Sequence, residues 1–71
     1  MKINYVEKDS IAASIGLKPG DSLEAIDGSR VKDIIDYRFK VTDENILLRV
    51  RQGSKLKEYD IEKDVDDNLG I

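Results

Sequence analysis

The stretch "LKPGDSLEAIDG", residues 17–28, carries a turn signal at each end and, between them, a run too short for a helix. Pro19 presets φ for the second position of a turn, and Gly20 accepts the positive φ of the third, so "KPGD" reads as a type II turn. "SLEAI" is then a short strand with Leu23 and Ile26 turned inward. Asp27-Gly28 is a two-residue hairpin signal, and a brief strand around Arg30 and Val31 follows. The unit is turn, strand, turn and return strand.

Upstream, "DSIAASIGL" changes to helical spacing. Asp9 or Ser10 can cap it, and Ile11, Ala12 and Ile15 share one face. Gly16 can take the left-handed conformation that ends a short helix, with Leu17 folding back on it as in a Schellman end. Before that, "KINYVE" alternates, which predicts a strand over residues 2–7 with Ile3 and Tyr5 on one face and Lys2 and Asn4 on the other. Downstream, "KDIIDYRFKVT" is helical again. Asp33 can cap it, and Asp36 three residues later makes an approximate capping box. Ile34, Tyr37 and Val41 form one apolar stripe, and Ile35 and Phe39 a second. So broad an apolar face on a short helix predicts two contacts, one of them the core. "ILLRVRQ" and "KLKEYDIE" alternate on either side of a Gly53-Ser54 turn. Ile46, Leu48, Val50, Tyr59 and Ile61 are the inward residues. Arg49 and Arg51 point outward, where they also discourage edge-to-edge aggregation.

The expected fold class is α+β: a small antiparallel partial β-barrel of 4–6 short strands capped by two helices. With 71 residues, the chain fits one small domain with a thin core. The domain is expected over residues 1–64, with residues 65–71 as an acidic tail or linker.

Several function classes are excluded by composition. There is no cysteine, hence no disulfide, thiolate zinc site or cysteine nucleophile, and no histidine to shuttle a proton near neutral pH. No catalytic residue, metal ligand or cofactor is expected in this segment. Net charge is −3, and the acids crowd the C-terminal region. That surface repels a phosphate backbone, so nucleic acid is not an expected partner. No apolar run is long enough to cross a membrane and no signal-peptide core is present, so the expected compartment is the cytoplasm. "DVDDN", residues 64–68, places oxygens as a calcium loop does, but Leu69 stands where such a loop needs glycine. A solvated linker is the better reading.

The run "DSIAASIGLKPGDSLEAIDGSRVKD" resembles a PDZ domain of the bacterial, circularly permuted kind. The matching residues are Ser10, Ala12, Ala13, Gly16, Leu17, Pro19, Gly20, Asp21, Leu23, Ile26, Asp27, Gly28 and Val31. The later helix and two strands follow in family order. The resemblance implies a protein-interaction module that takes a peptide, or a segment of its own downstream domain, by strand addition beside the second helix. Ile34, Tyr37, Arg38 and Val41 are then the peptide-groove candidates, leaving Ile35 and Phe39 to the core, although the spacing alone does not fix the phase and allows the two stripes to be exchanged. The ligand carboxylate would meet a tight loop of backbone N–H groups. The nearest match to that loop is "NLGI", which makes Asn68, Leu69, Gly70 and Ile71 the candidates, with the ligand-pairing strand expected beyond Ile71.

A narrower resemblance rests on residues 33–39, "DIIDYRF", on residues 62–64, and on residues 69–71. It is to the N-terminal PDZ-like region of a bacterial radical-SAM-like iron–sulfur protein family, in which a cysteine-rich segment follows directly. It implies that these residues are a regulatory or interaction module of a larger cytoplasmic protein. The alternatives are a structural platform that binds no free peptide, the substrate-reading PDZ domain of a bacterial protease, and a self-association module.

Overall fold

The computed structural model describes every residue, Met1–Ile71. Its elements run in the order α1 (Ile11–Ser14), β1 (Ser22–Ile26), β2 (Ser29–Arg30), α2 (Ile34–Lys40), β3 (Asn45–Gln52) and β4 (Lys55–Glu62). The strands form one open antiparallel sheet in the order β2-β1-β3-β4.

Each turn has the local chemistry its residues dictate. Gly20 has φ +101°, and Asp21 donates its N–H to the Lys18 carbonyl at 3.1 Å, closing the turn after Pro19. Asp27 and Gly28 both have positive φ, the type I′ pattern that matches the right-handed strand twist. Asp27 also bridges to β3, since its Oδ1 accepts from the Leu47 N–H at 2.9 Å and its N–H donates to the Leu47 carbonyl at 2.9 Å. At the β3–β4 turn only Gly53 is left-handed, as in a type II′ hairpin. Helix α1 begins at Ser10, whose Oγ accepts from the Ala13 N–H at 3.1 Å. It ends as a Schellman motif, with Leu17 donating to Ala12 at 3.0 Å and Gly16 donating to Ala13 at 3.1 Å.

Leu23 and Ile26 are three residues apart, a spacing that in a regular strand puts them on opposite faces. Both are buried because the β1–β3 register shifts between Leu23 and Ala25, a bulge that turns the strand between them. Together with Ile46, Leu48, Val50 and Ile61, they present one apolar face of the sheet. Ile3, Ala12, Leu17, Val31, Tyr37, Val41 and Leu69 complete the core against it. Opposite-charge pairs lie elsewhere on the strands, Arg49 with Glu58 at 3.3 Å and Arg51 with Glu24 at 3.2 Å; because β3 is an interior strand, these arginines bridge to its neighbours rather than guard an open edge.

The expected α+β class holds, with four antiparallel strands in one open sheet and two helices. Two sequence expectations need correction. The strand expected over residues 2–7 reduces to a single bridge between Lys2 and Ser22. Ile3 bonds to Asp21 and Gly20 across the turn, but beyond it the chain runs past the end of β1 and has no ladder partner, so Tyr5 is exposed while Ile3 is buried. Finally, Ile35 and Phe39 are not core residues, being 75% and 80% exposed. Helix α2 is only seven residues long and lays a single stripe, Tyr37 and Val41, against the body. With about 100° per residue, that stripe leaves Ile35 and Phe39 on the far side.

The start of α2 is held by reciprocal carboxylates. Asp33 Oδ1 accepts from the Asp36 N–H at 2.8 Å, and Asp36 Oδ2 accepts from the Lys32 N–H at 3.0 Å. Asp36 also accepts from the Lys40 ammonium one turn on. The Lys40 hydrogen bond, followed by the Lys32 amide, holds the Asp36 carboxyl below its ordinary 3.8.

Two outcomes follow from these contacts. Asp27→Ala loses both a side-chain acceptor and a residue tolerant of left-handed φ, so it should lower stability by about 1–2 kcal/mol in urea titration, and Asp27→Asn by clearly less. A carboxyl whose folded pKa is depressed contributes stability that is complete above the ordinary value and lost as pH falls through the folded one. Asp36→Asn should therefore flatten the loss of stability below pH 3.8, measured by urea melts over an acid series.

Candidate functional site

Helix α2 and the C-terminal segment face each other across an open groove of about 490 Å³. Its helix side is Ile34, Tyr37, Arg38, Val41 and Thr42. Its other walls are Val65, Asp66, Asp67, Asn68, Gly70 and Ile71 from the C-terminal segment, and Tyr5 and Glu7 from the N-terminal segment. All of the helix residues expected to line a groove do so. Of the expected loop residues, Asn68, Gly70 and Ile71 line it, whereas the Leu69 side chain is fully buried in the core.

The C-terminal segment thus has two parts. Residues 64–68 are exposed, as an acidic linker would be, and turn through an Asp67 N–H to Asp64 carbonyl bond at 3.0 Å. Leu69 and Gly70 then return to the body. The Leu69 carbonyl accepts from the Ala12 N–H at 2.9 Å, and the Gly70 carbonyl from the Glu7 N–H at 2.7 Å. Only glycine fits at position 70. A Cβ there would lie 2.3 Å from the Ser10 Cβ, and φ is +88°.

These two bonds determine where the amides go. In a trans peptide the C=O and the following N–H point in opposite directions. With the Leu69 and Gly70 carbonyls turned into the body, the N–H groups of Gly70 and Ile71 are turned away from it. None of the N–H groups of Asn68, Leu69, Gly70 and Ile71 donates to a backbone carbonyl. Free amides beside a left-handed glycine are the ingredients of an anion-binding nest, and here they are the N–H groups of Gly70 and Ile71, since the Leu69 backbone is turned toward the Tyr37 hydroxyl.

The groove floor is apolar. Tyr37 and Val41 belong to the core and also line the groove, so one stripe serves both purposes. The Tyr37 hydroxyl is buried without a hydrogen-bond partner. Burial pushes its pKa up from the ordinary value, and the nearby Leu69 backbone pulls it back only in part. Ile34 on the helix side and Val65 and Tyr5 on the facing walls are the accessible apolar surfaces of the groove. The charged lining is Arg38 against Glu7, Asp66 and Asp67.

Tyr5, Glu7, Thr42, Val65, Asp66 and Asp67 were not expected at the site. Adjacency to the "NLGI" motif was a signal for Val65, Asp66 and Asp67, and the turn after α2 for Thr42. Tyr5 and Glu7 carry no such signal, because only the Glu7–Gly70 bond brings them there.

A sequence model of the PDZ domain matches residues 2–52, nearly three quarters of the chain. The chain belongs to the PDZ domain family. Among solved structures, the PDZ domain of the SdrC-like protein from Listeria monocytogenes is similar, with a TM-score of 0.70 and 27% identity, over 97% of this chain and 76% of that one. A search of curated proteins gives no match. PDZ domains are interaction modules rather than enzymes, and they take peptides or protein segments. No helix here is long and apolar enough to cross a membrane.

Gly70→Ala tests how the C-terminal segment is held. It should destabilise by about 2–3 kcal/mol and speed amide exchange at Glu7 and Ala12, because clash and positive-φ strain add. Gly53→Ala, with φ +63° and open space for its Cβ, carries the strain alone and should cost clearly less in the same assay.

Proposed function

We propose that this PDZ domain receives a peptide chain end in the groove between α2 and residues 65–71, as the interaction or regulatory module of a larger cytoplasmic iron–sulfur protein of the radical-SAM-like kind. The observation that carries the reading is the meeting of an apolar floor, Tyr37 and Val41, with the free N–H groups of Gly70 and Ile71 at one groove. An apolar side chain has a surface to bury there, and a terminal carboxylate has donors. The helix stripe of Ile34, Tyr37, Arg38 and Val41 would read side chains, while Gly70 and Ile71 would hold the carboxylate through their backbone N–H groups.

The larger context rests on the motif at residues 33–39, together with residues 62–64 and 69–71. The segment has neither cysteine nor histidine. Cluster ligands and redox chemistry would therefore come from elsewhere in the parent, and this domain would act by binding, either to a separate protein or to a segment of its own parent.

The test is a titration of the isotopically labelled domain with an apolar-ended peptide, followed by amide shifts. Shifts should concentrate at Tyr37, Val41, Gly70 and Ile71, and amidating the peptide terminus should weaken binding by about tenfold, since a charge-assisted contact is lost. No shift with either form, in this domain and in one extended by the native residues that follow, would make the domain a structural platform. An immunoblot of the source cell should show a species well above 8.0 kDa, with iron in the purified parent.

A further inference from the structure

We propose that the groove selects peptide ends that carry lysine or arginine side chains close to the carboxylate. This charge selection rests on the reading of the groove as a peptide site.

The acids flank the nest on both sides. Asp66 and Asp67 lead directly into Asn68, and Glu7 sits across the nest through its N–H bond to the Gly70 carbonyl. Arg38 is the single cation among the lining residues. None of these charges is spent within the protein. The ion pairs are Asp36 with Lys40, Arg49 with Glu58 and Arg51 with Glu24, and none of them includes Glu7, Asp66, Asp67 or Arg38. The three acids are also solvent-exposed, so a ligand can reach them without unfolding anything.

The amides and the acids then make opposite demands on one occupant. The N–H groups of Gly70 and Ile71 favour an anion, while Glu7, Asp66 and Asp67 repel one. A bare carboxylate meets three like charges and one opposite. An acidic tail meets the same three with more charge of its own. A chain end with a carboxylate and adjacent cationic side chains satisfies both sets: its terminus takes the amides and Arg38, and its cations take the acids. The net charge of −3 works in the same direction at longer range, raising the encounter rate of basic peptides at low salt.

The probes are two decapeptides with the same apolar C-terminal residue and a free carboxylate. They differ only in the preceding side chains, lysine in one and glutamate in the other. At low ionic strength the lysine peptide should bind about tenfold tighter, a preference that added salt erodes. In the Asp66→Asn, Asp67→Asn double variant the preference should shrink to about threefold or less, because both positions are exposed and only charge changes. A thermal melt matching the parent domain confirms that the variant is folded. Equal binding of the two peptides, or tighter binding of the glutamate one, with shifts at Tyr37 and Gly70, would overturn the charge selection while leaving the groove as a peptide site. A full preference retained in the double variant would overturn the assignment to these acids. If neither peptide shifts the groove residues, the reading of the groove fails and the selection fails with it.

Discussion

Strand β1 is hydrogen-bonded along both edges, and the rest of the molecule is arranged by that fact. Its far end pairs with β2, its near end receives residues 1–3, and its other edge lies along β3. Five residues can serve three partners only because a turn stands at each end. The Pro19-Gly20 turn delivers the chain from α1 into the strand and also meets Ile3. The Asp27-Gly28 turn sends it straight back and clips Leu47 on the way. The bulge at Glu24 completes the arrangement, since without it Leu23 or Ile26 would face solvent.

The groove depends on a second, smaller set of contacts. The C-terminal segment is held against the body by the buried Leu69 side chain, by Ile71 packed against the core, and by two carbonyls. The burial of Leu69 supplies most of the driving force, because a fully buried leucine contributes about 1.5–3 kcal/mol. The carbonyl bonds supply direction. By fixing which way two peptide planes face, they decide that the adjacent amides are left for something else. Glycine at position 70 is what permits the close approach to Ser10.

The two long elements divide the remaining work. The β3–β4 hairpin is regular along its full length and covers the core with Ile46, Leu48, Val50 and Ile61. Helix α2 is too short to bury two faces, so its one body-facing stripe is both core and groove floor. Tyr37 shows the cost of that double duty: its ring fills space under the C-terminal segment while its hydroxyl has no partner. An unpaired buried hydroxyl is destabilising by about 1–3 kcal/mol, a burden that the ring's packing must outweigh.

Local chemistry was legible from the residues alone. The turns at Pro19-Gly20 and Asp27-Gly28, the Schellman end at Gly16-Leu17, the cap at Asp33 and the inward residues of β3 each follow from φ preferences, side-chain acceptors or period-two alternation. These interactions reach only a few residues along the chain, so sequence specifies them. The strand at residues 2–7 failed because its pattern describes a face, whereas a ladder needs a neighbour that only the folded topology provides. The phase of α2 was open for a related reason. Two apolar stripes sat side by side, and only the position of the sheet decided that Tyr37 and Val41 go in and that Ile35 and Phe39 stay out. Tyr5 and Glu7 reached the groove through a bond between residues 63 positions apart, Glu7 and Gly70. Turn chemistry and period-two alternation determined the short strands, the hairpin turns and the helix ends of a small α+β domain. Tertiary structure alone determined which backbone amides are left unpaired, because that depends on which way distant peptide planes are turned.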